Sequence, residues 1–284
     1  MKSLRIGCVK YLNAQPLIRG WAGDVDFDHP SALCNKLARG ELDVALASSF
    51  EFLRNPVYQV VDDVSISSAG PVYSVVVAHR GEISEIEEIE LDRASETSAK
   101  LLRCLLAELG LNPRLVPNGE FNKSARRDVL GSAGCQPAVA GSLPATSNAR
   151  LLIGDQALRF RQSHAGEFHF WDLGEQWNKL VGLPFVYALW LIRPEVRDSK
   201  TLAERLCKLR DENLADIDKL IAEENEFDHD FCRRYYRENL HFSFGEKEKA
   251  GLREFNRRCR EQRLLPLEQV EAESRDVDLP LRCV

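Results

Sequence analysis

The sequence predicts an α/β fold of two lobes, and three observations predict it. A strand, helix, strand unit lies between Leu4 and Ala47. A second unit of the same kind begins near Glu87. The chain of 284 residues and 32.2 kDa also exceeds the usual size of one compact core, which favours two lobes of ordinary size.

The elements follow in order. Leu4 to Val9 is an apolar run broken only by Arg5 and reads as a buried strand. Lys10 to Gln15 is a loop, and Pro16 opens a helical turn, where its missing N–H costs nothing. Leu33, Leu37 and Ala38 keep helical spacing up to a stop at Gly40, and a strand follows over Leu42 to Ala47. After a short segment and a Gly70-Pro71 turn, the β-branched run Val72 to Ala78 predicts another buried strand. A strand reaching Asp92 precedes a helix with Leu101, Leu102, Leu105, Leu106 and Leu109 on its apolar side, closed by Gly110. Phe121 to Ala149 shows no sustained period and is expected to be a loop insertion dispensable for chemistry. Strand-like runs return at Ala149 to Ile153 and Leu183 to Arg193, and from Ser199 onward the spacing is helical.

Composition narrows the function. Hydrophobic residues at 44% and charged residues at 29% fit a soluble enzyme or binding protein. A net charge of -6 with no basic stripe argues against a nucleic-acid partner. The longest apolar run, Phe185 to Ile192, is too short to cross a bilayer, and the chain enters its first strand with no secretory signal, so a cytoplasmic protein is expected. Eight scattered cysteines form no CxxC pair, and they read as reduced, buried thiols with no metal role. Neither a nucleotide-binding glycine motif nor a GxSxG elbow occurs.

What does recur is a strand end followed by small polar residues: Asn13, Ser48-Ser49, Ser95 to Ser98, and Gly154-Asp155. In open α/β sheets, ligands bind beyond the carboxyl ends of the strands. Hydroxyls and amides at a helix start suit a carboxylate there. A polar, anion-receiving cleft is the expectation.

The motifs RIGCVKYLNAQPL, GELDVALASSFEFLRNP, SISSAGPVYSVVV, LDRASETSAKLLR, LLIGDQAL, DLGEQW and GLPFVYALW, in this order, resemble the chorismate dehydratase family of the futalosine route to menaquinone. The resemblance spans about Leu4 to Arg193. It implies a two-lobed, type II periplasmic-binding-protein-like fold, with residues 1–82 in lobe one, 83–183 in lobe two including the 121–149 insertion, and 184–284 returning to lobe one. GPVYSVVV and PFVYALW would be the crossings. The sister enzyme that makes dihydroxynaphthoate has a different N-terminal motif, rich in Ser, Pro, Cys and Asn, where this chain has YLNAQPL.

The implied activity is dehydration of chorismate to 3-[(1-carboxyvinyl)oxy]benzoate, with no cofactor and no metal, by a monomer or homodimer. Asn13 is the expected catalytic residue, with Ser48, Ser49, Gly70, Ser74, Thr97, Ser98 and Asp155 binding substrate. The sequence offers no convincing protein base, with Glu51 and Glu96 the only histidine or glutamate residues in the matched cleft motifs, so abstraction of the proton by the substrate's own enolpyruvyl carboxylate is expected. The alternatives are a cytosolic solute-binding protein for a small carboxylate and the sister enzyme that makes dihydroxynaphthoate.

Overall fold

The computed structural model describes residues 4–92, 95–117, 149–266, 279 and 281–284. The expected insertion over 121–149 therefore lies outside the described residues, except for Ala149, which already belongs to a strand.

Two five-stranded mixed sheets organise the chain. The first contains β1 (Ile6–Cys8), β2 (Val25–Phe27), β3 (Val44–Ser48), β4 (Gln59–Ser68) and β10 (Phe185–Ile192), in the order β2-β1-β3-β10-β4. The second contains β5 (Val75–His79), β6 (Glu88–Leu91), β7 (Arg114–Pro117), β8 (Ala149–Ile153) and β9 (His169–Asp172), in the order β7-β6-β8-β5-β9. Each sheet has three parallel strands on one side. In each, the strand that follows a crossing is inserted fourth and runs antiparallel to its neighbours: β10 in the first, β5 in the second.

The helices follow from the same sequence signals. In the first lobe lie α1 (Gln15–Ile18), α2 (Pro30–Ala38) and α3 (Ser49–Arg54); in the second, α4 (Glu96–Glu108), α5 (Gly154–Ser163) and α6 (Leu173–Val181). Ser95 caps α4 by accepting the Ser98 amide, and Gly182 ends α6 in the left-handed region at φ 72°, as a glycine stop should. The C-terminal part folds as α7 (Ser199–Ala215), α8 (Ile217–Ala222), α9 (His229–Arg234), a π-helical turn over Tyr235–Asn239, and α10 (Glu246–Glu261). β3 and β5 are buried along their whole length, which is why both read as continuous apolar runs and not as alternations.

Several elements were not expected. β4 is ten residues long, yet its charged pair Asp62-Asp63 and its serines hide its strand character. The short strands β2, β7 and β9 are edge strands whose side chains are mostly exposed or half-buried, and they carry little apolar signal. The C-terminal tail joins the first sheet: Cys283 pairs with Val60, and Val60 donates to the Arg282 carbonyl. Backbone bonding, which leaves no periodicity in the sequence, holds it there.

The change of sheet also falls earlier than residue 82. β5 belongs to the second sheet, so the first crossing is the segment between Ser68 and Val75. PFVYALW is not a crossing, because β10 pairs with β3 and β4 along its length; the return passage is the stretch between Val181 and Phe185.

Asp172 pins the first crossing to the second lobe. Its Oδ1 accepts the amides of Val72, Gly174 and Glu175, and its Oδ2 accepts the amide of Tyr73 at 2.7 Å. The carboxyl is buried, and burial pushes its pKa up, opposed by these amides and by Arg161 at 3.7 Å. Tyr73 is held at φ 62°, a left-handed conformation that is uncommon outside glycine. Asp172→Ala is expected to lower unfolding free energy by about 3 kcal/mol or more, since four backbone amides, those of Val72 and Gly174 in buried bonds, lose their acceptor. Asp172→Asn keeps one carbonyl oxygen and should cost clearly less; equal urea midpoints for the two variants would contradict this account.

Candidate functional site

The carboxyl ends of the strands meet in a cleft of about 590 Å³, including its open mouth. Val9, Tyr11 and Asn13 follow β1, Ser48 ends β3, Ser95, Thr97 and Ser98 follow β6, and Gly154 follows β8. Apolar walls come from Leu46, Ile66, Val72 and Ile153. None of the described lining residues is charged.

Of the expected site residues, Asn13, Ser48, Ser74, Thr97 and Ser98 line this one cleft. Ser49, Gly70 and Asp155 are not among its lining. Ser49 is fully buried and donates to the Val186 carbonyl at 2.7 Å, tying α3 to β10. Gly70 lies in the crossing, where its carbonyl accepts from Ser68 and its φ of 147° suits glycine. Asp155 accepts the Leu12 amide at 2.8 Å, so it serves the loop of Asn13 and not the cleft surface. Burial pushes the Asp155 carboxyl up to about 6, against the Leu12 amide and Arg159, which pull it down.

Polar groups in the cleft come in two sets. On one side, the Thr97 hydroxyl bonds the Ser48 hydroxyl and accepts the Phe50 amide at 3.1 Å, joining α4 of the second lobe to the β3–α3 junction of the first. Ser98 and its cap Ser95 complete that first turn of α4, where amides point outward with no helical acceptor. On the other side, Asn13 Oδ1 is buried without a hydrogen-bond partner, and the buried Ser74 hydroxyl has the Tyr235 hydroxyl as a polar neighbour. The Tyr235 hydroxyl lies beside both side chains; burial raises its pKa strongly, and these two neighbours act in the opposite direction. An unpartnered buried oxygen is costly unless a ligand completes it, so Asn13 Oδ1 marks the polar end of the site.

Glu51 and Glu96, the two glutamates of the cleft motifs, are engaged elsewhere. Glu51 is buried, with Arg54 Nε donating at 2.6 Å and the Tyr58 hydroxyl at 3.2 Å; burial raises its pKa and Arg54 lowers it. Glu96 takes the other arm of Arg54 at 2.7 Å, across the lobes. Among the described residues, no group of three or more His, Cys, Asp or Glu side chains is placed to hold a metal ion.

Sequence reasoning missed the two aromatic walls, Tyr11 and Tyr187. Tyr11 stood inside the motif that drew attention to Asn13, but its ring gave no separate signal. Tyr187 reaches the cleft together with its neighbour Ala188, because β10 shifts register against β4 between Val186 and Ala188. A bulge re-aims side chains in a way that strict alternation does not foresee. The Tyr187 hydroxyl turns away to Ser68 at 3.0 Å.

A profile of a family described as menaquinone biosynthesis matches residues 4–261. The chain belongs to this menaquinone biosynthesis family. It is 28% identical over 277 residues to the chorismate dehydratase of Thermus thermophilus, a match that covers 90% of this chain and 94% of that one. Solved structures agree on the fold. A protein of Archaeoglobus fulgidus superposes with a TM-score of 0.63 at 16% identity, covering 92% of this chain and 98% of that one. The periplasmic aliphatic sulphonate binding protein of Escherichia coli gives 0.58 at 12% identity, covering 95% and 96%. The architecture is that of a two-lobed periplasmic binding protein with its cleft between the lobes, here in a member of a biosynthetic family.

Gly154 shapes the wall of this cleft. It has φ 55°, and a Cβ on it would stand 2.8 Å from the Tyr11 ring. Gly154→Ala is expected to destabilise the protein by about 1–3 kcal/mol through that overlap and the backbone strain. The loss should shrink when Tyr11 is also truncated to Ala, and strictly additive losses in thermal unfolding would exclude the contact as the cause.

Proposed function

We propose that this protein is a chorismate dehydratase, converting chorismate to 3-[(1-carboxyvinyl)oxy]benzoate and water. One observation carries the reading from the geometry: the cleft offers uncharged hydroxyl and amide donors at one end and a buried, unpartnered Asn13 Oδ1 at the other. The near full-length similarity to a chorismate dehydratase supports it.

Chorismate brings two carboxylates, which need donors, and a single hydroxyl, which is its only hydrogen-bond donor. The first turn of α4 with Ser48, Thr97 and Ser98 supplies donors for the ring carboxylate without placing a cation in the cleft. Asn13 offers Nδ2 as a donor and Oδ1 as an acceptor, so one amide spans the enolpyruvyl carboxylate and the neighbouring ring hydroxyl. The two substituents sit on adjacent ring carbons, which makes the span feasible.

The reaction begins at the ring carbon that bears the ether. Its proton goes to the enolpyruvyl carboxylate of the same molecule, and the electron pair spreads through the conjugated ring onto the ring carboxylate. Donors at the α4 turn stabilise that charge. The pair then returns to the ring, the adjacent C–O bond breaks, and hydroxide leaves to become water with the abstracted proton. The ring is now aromatic, which drives the step forward. No described lining residue is an Asp, Glu, His or Lys, so the base comes from the substrate and Asn13 holds it in position.

Purified protein mixed with chorismate should consume it with a change in ultraviolet absorbance, and EDTA should leave the rate unchanged. Saturable binding without turnover would favour a solute-binding protein instead. Loss of rate in EDTA that a divalent ion restores would refute the cofactor-free mechanism. Asn13→Ala should lower kcat by about tenfold to a hundredfold, the worth of one oriented hydrogen bond to a charged group, with a smaller change in KM. Asn13→Asp should impair both, because a carboxylate there repels the dianion. A folded Asn13→Ala protein with normal kcat would remove Asn13 from the mechanism.

A further inference from the structure

Asn13 stands on a turn that is too short to hold itself. Leu12–Ala14 forms a single 3₁₀ turn, closed by the Ala14 amide on the Tyr11 carbonyl at 3.0 Å, and the residue that precedes it provides no side-chain cap. Short 3₁₀ turns have poor hydrogen-bond geometry and rely on their surroundings. Here the surroundings are specific. The Leu12 amide is bound by Asp155 Oδ1 at 2.8 Å, and the Leu12 carbonyl accepts the Tyr236 hydroxyl at 2.9 Å.

The two partners come from different parts of the chain. Asp155 lies in the first turn of α5, in the second lobe, while Tyr236 lies in the π-helical turn of the C-terminal part. The wider π turn buries two consecutive tyrosines: Tyr236 reaches Leu12, and Tyr235 lies beside the side chains of Asn13 and Ser74. π turns of this kind often occur at functional sites. Leu12 itself is buried, so neither of its backbone groups has water as a substitute partner.

We propose that Asp155 and Tyr236 are positioning residues that clamp the Leu12 peptide from both sides and so fix the Asn13 amide for catalysis. The proposal rests on the chorismate dehydratase reading of the site. Asp155 touches no reacting atom: its role is that of a fixed acceptor, so an amide oxygen in the same place performs it. It also couples the lobes, because the acceptor reaches Leu12 only when α5 is docked against the first-lobe loop.

The test uses the full chain in Asp155→Ala, Asp155→Asn, Tyr236→Phe and Asn13→Ala, singly and combined, with kcat and KM for chorismate and the exchange rate of the Leu12 amide. Asp155→Ala should lower kcat by about tenfold or more with KM within about threefold, whereas Asp155→Asn should stay within about threefold of the unaltered protein in both. Asn13→Ala/Asp155→Ala should be no slower than Asn13→Ala alone, since both changes remove the same function. The Leu12 amide should be protected in the unaltered protein and in Asp155→Asn, and exposed in Asp155→Ala. If Asp155→Ala does not fold, Tyr236→Phe carries the same cycle with Asn13→Ala.

An Asp155→Asn enzyme as slow as Asp155→Ala would overturn the proposal by assigning the charge or proton itself a role. Multiplicative losses in the double variant, or full kcat in Asp155→Ala, would overturn it equally. If the unaltered protein leaves chorismate unconsumed, the functional reading fails on its own. The clamp is then judged by amide exchange, and an unprotected Leu12 amide in the unaltered protein overturns it.

Discussion

One buried carboxylate sets the geometry on which the cleft depends. Asp172 collects the amides of Val72 and Tyr73 from the crossing and those of Gly174 and Glu175 from the start of α6. A carboxylate removed from water requires such compensation, and the amides in turn have no other acceptor. The result is a rigid corner between β9 and the crossing. Ser74 follows that corner directly, and its carbonyl accepts the Gly154 amide at 2.8 Å, so the polar end of the cleft inherits its position from Asp172. The Gly174 backbone approaches the Tyr187 hydroxyl and the Gly70 carbonyl so closely that any side chain there would collide with both. The crossing, the helix start and one aromatic wall are thus a single packed unit.

The second organising feature is a cleft whose described lining is neutral, which in the proposed reaction receives an anion. An arginine in the cleft would bind a dianion more strongly, but it would bind the starting material and the charge-delocalised intermediate alike, and uniform binding does not accelerate a chemical step. Helix-start amides and hydroxyls act over a short range and depend on direction. They reward the particular oxygen on which charge accumulates. The charged residues nearby are paired away from the cleft: Arg54 bridges Glu51 and Glu96, and Arg161 lies over the Tyr73 ring with its charge toward Asp172.

The sequence made the strand ends visible, and with them most of the polar lining, because small polar residues after an apolar run have few other uses. Asn13, Ser48 and Thr97 were found in this way. It did not reveal the aromatic walls, since Tyr187 depends on a register shift between strands and Tyr11 on a glycine more than a hundred residues later in the chain. Asp155 was expected to bind substrate and is found accepting the Leu12 amide: a carboxylate at a helix start reads the same whether it faces a ligand or a backbone amide. The C-terminal tyrosines gave no signal at all, because a π turn changes which consecutive residues face inward without altering composition. Fold class follows from local pattern, whereas these contacts follow from packing between distant segments.

The bond between Ser48 and Thr97 has a bearing on inhibitor design. In the absence of a guest, the two hydroxyls satisfy each other, so an entering molecule replaces an existing hydrogen bond and does not fill a void. Its affinity is a difference, and a compound that only occupies space gains little at this end. A useful competitor carries a planar acceptor that engages Thr97 while releasing Ser48 to a second oxygen, which a carboxylate or an acyl sulfonamide does and an ester does poorly. A cationic group adds nothing, because no described carboxylate lines the cleft to receive it. Medicinal chemistry on this scaffold therefore begins from acid isosteres on a flat ring.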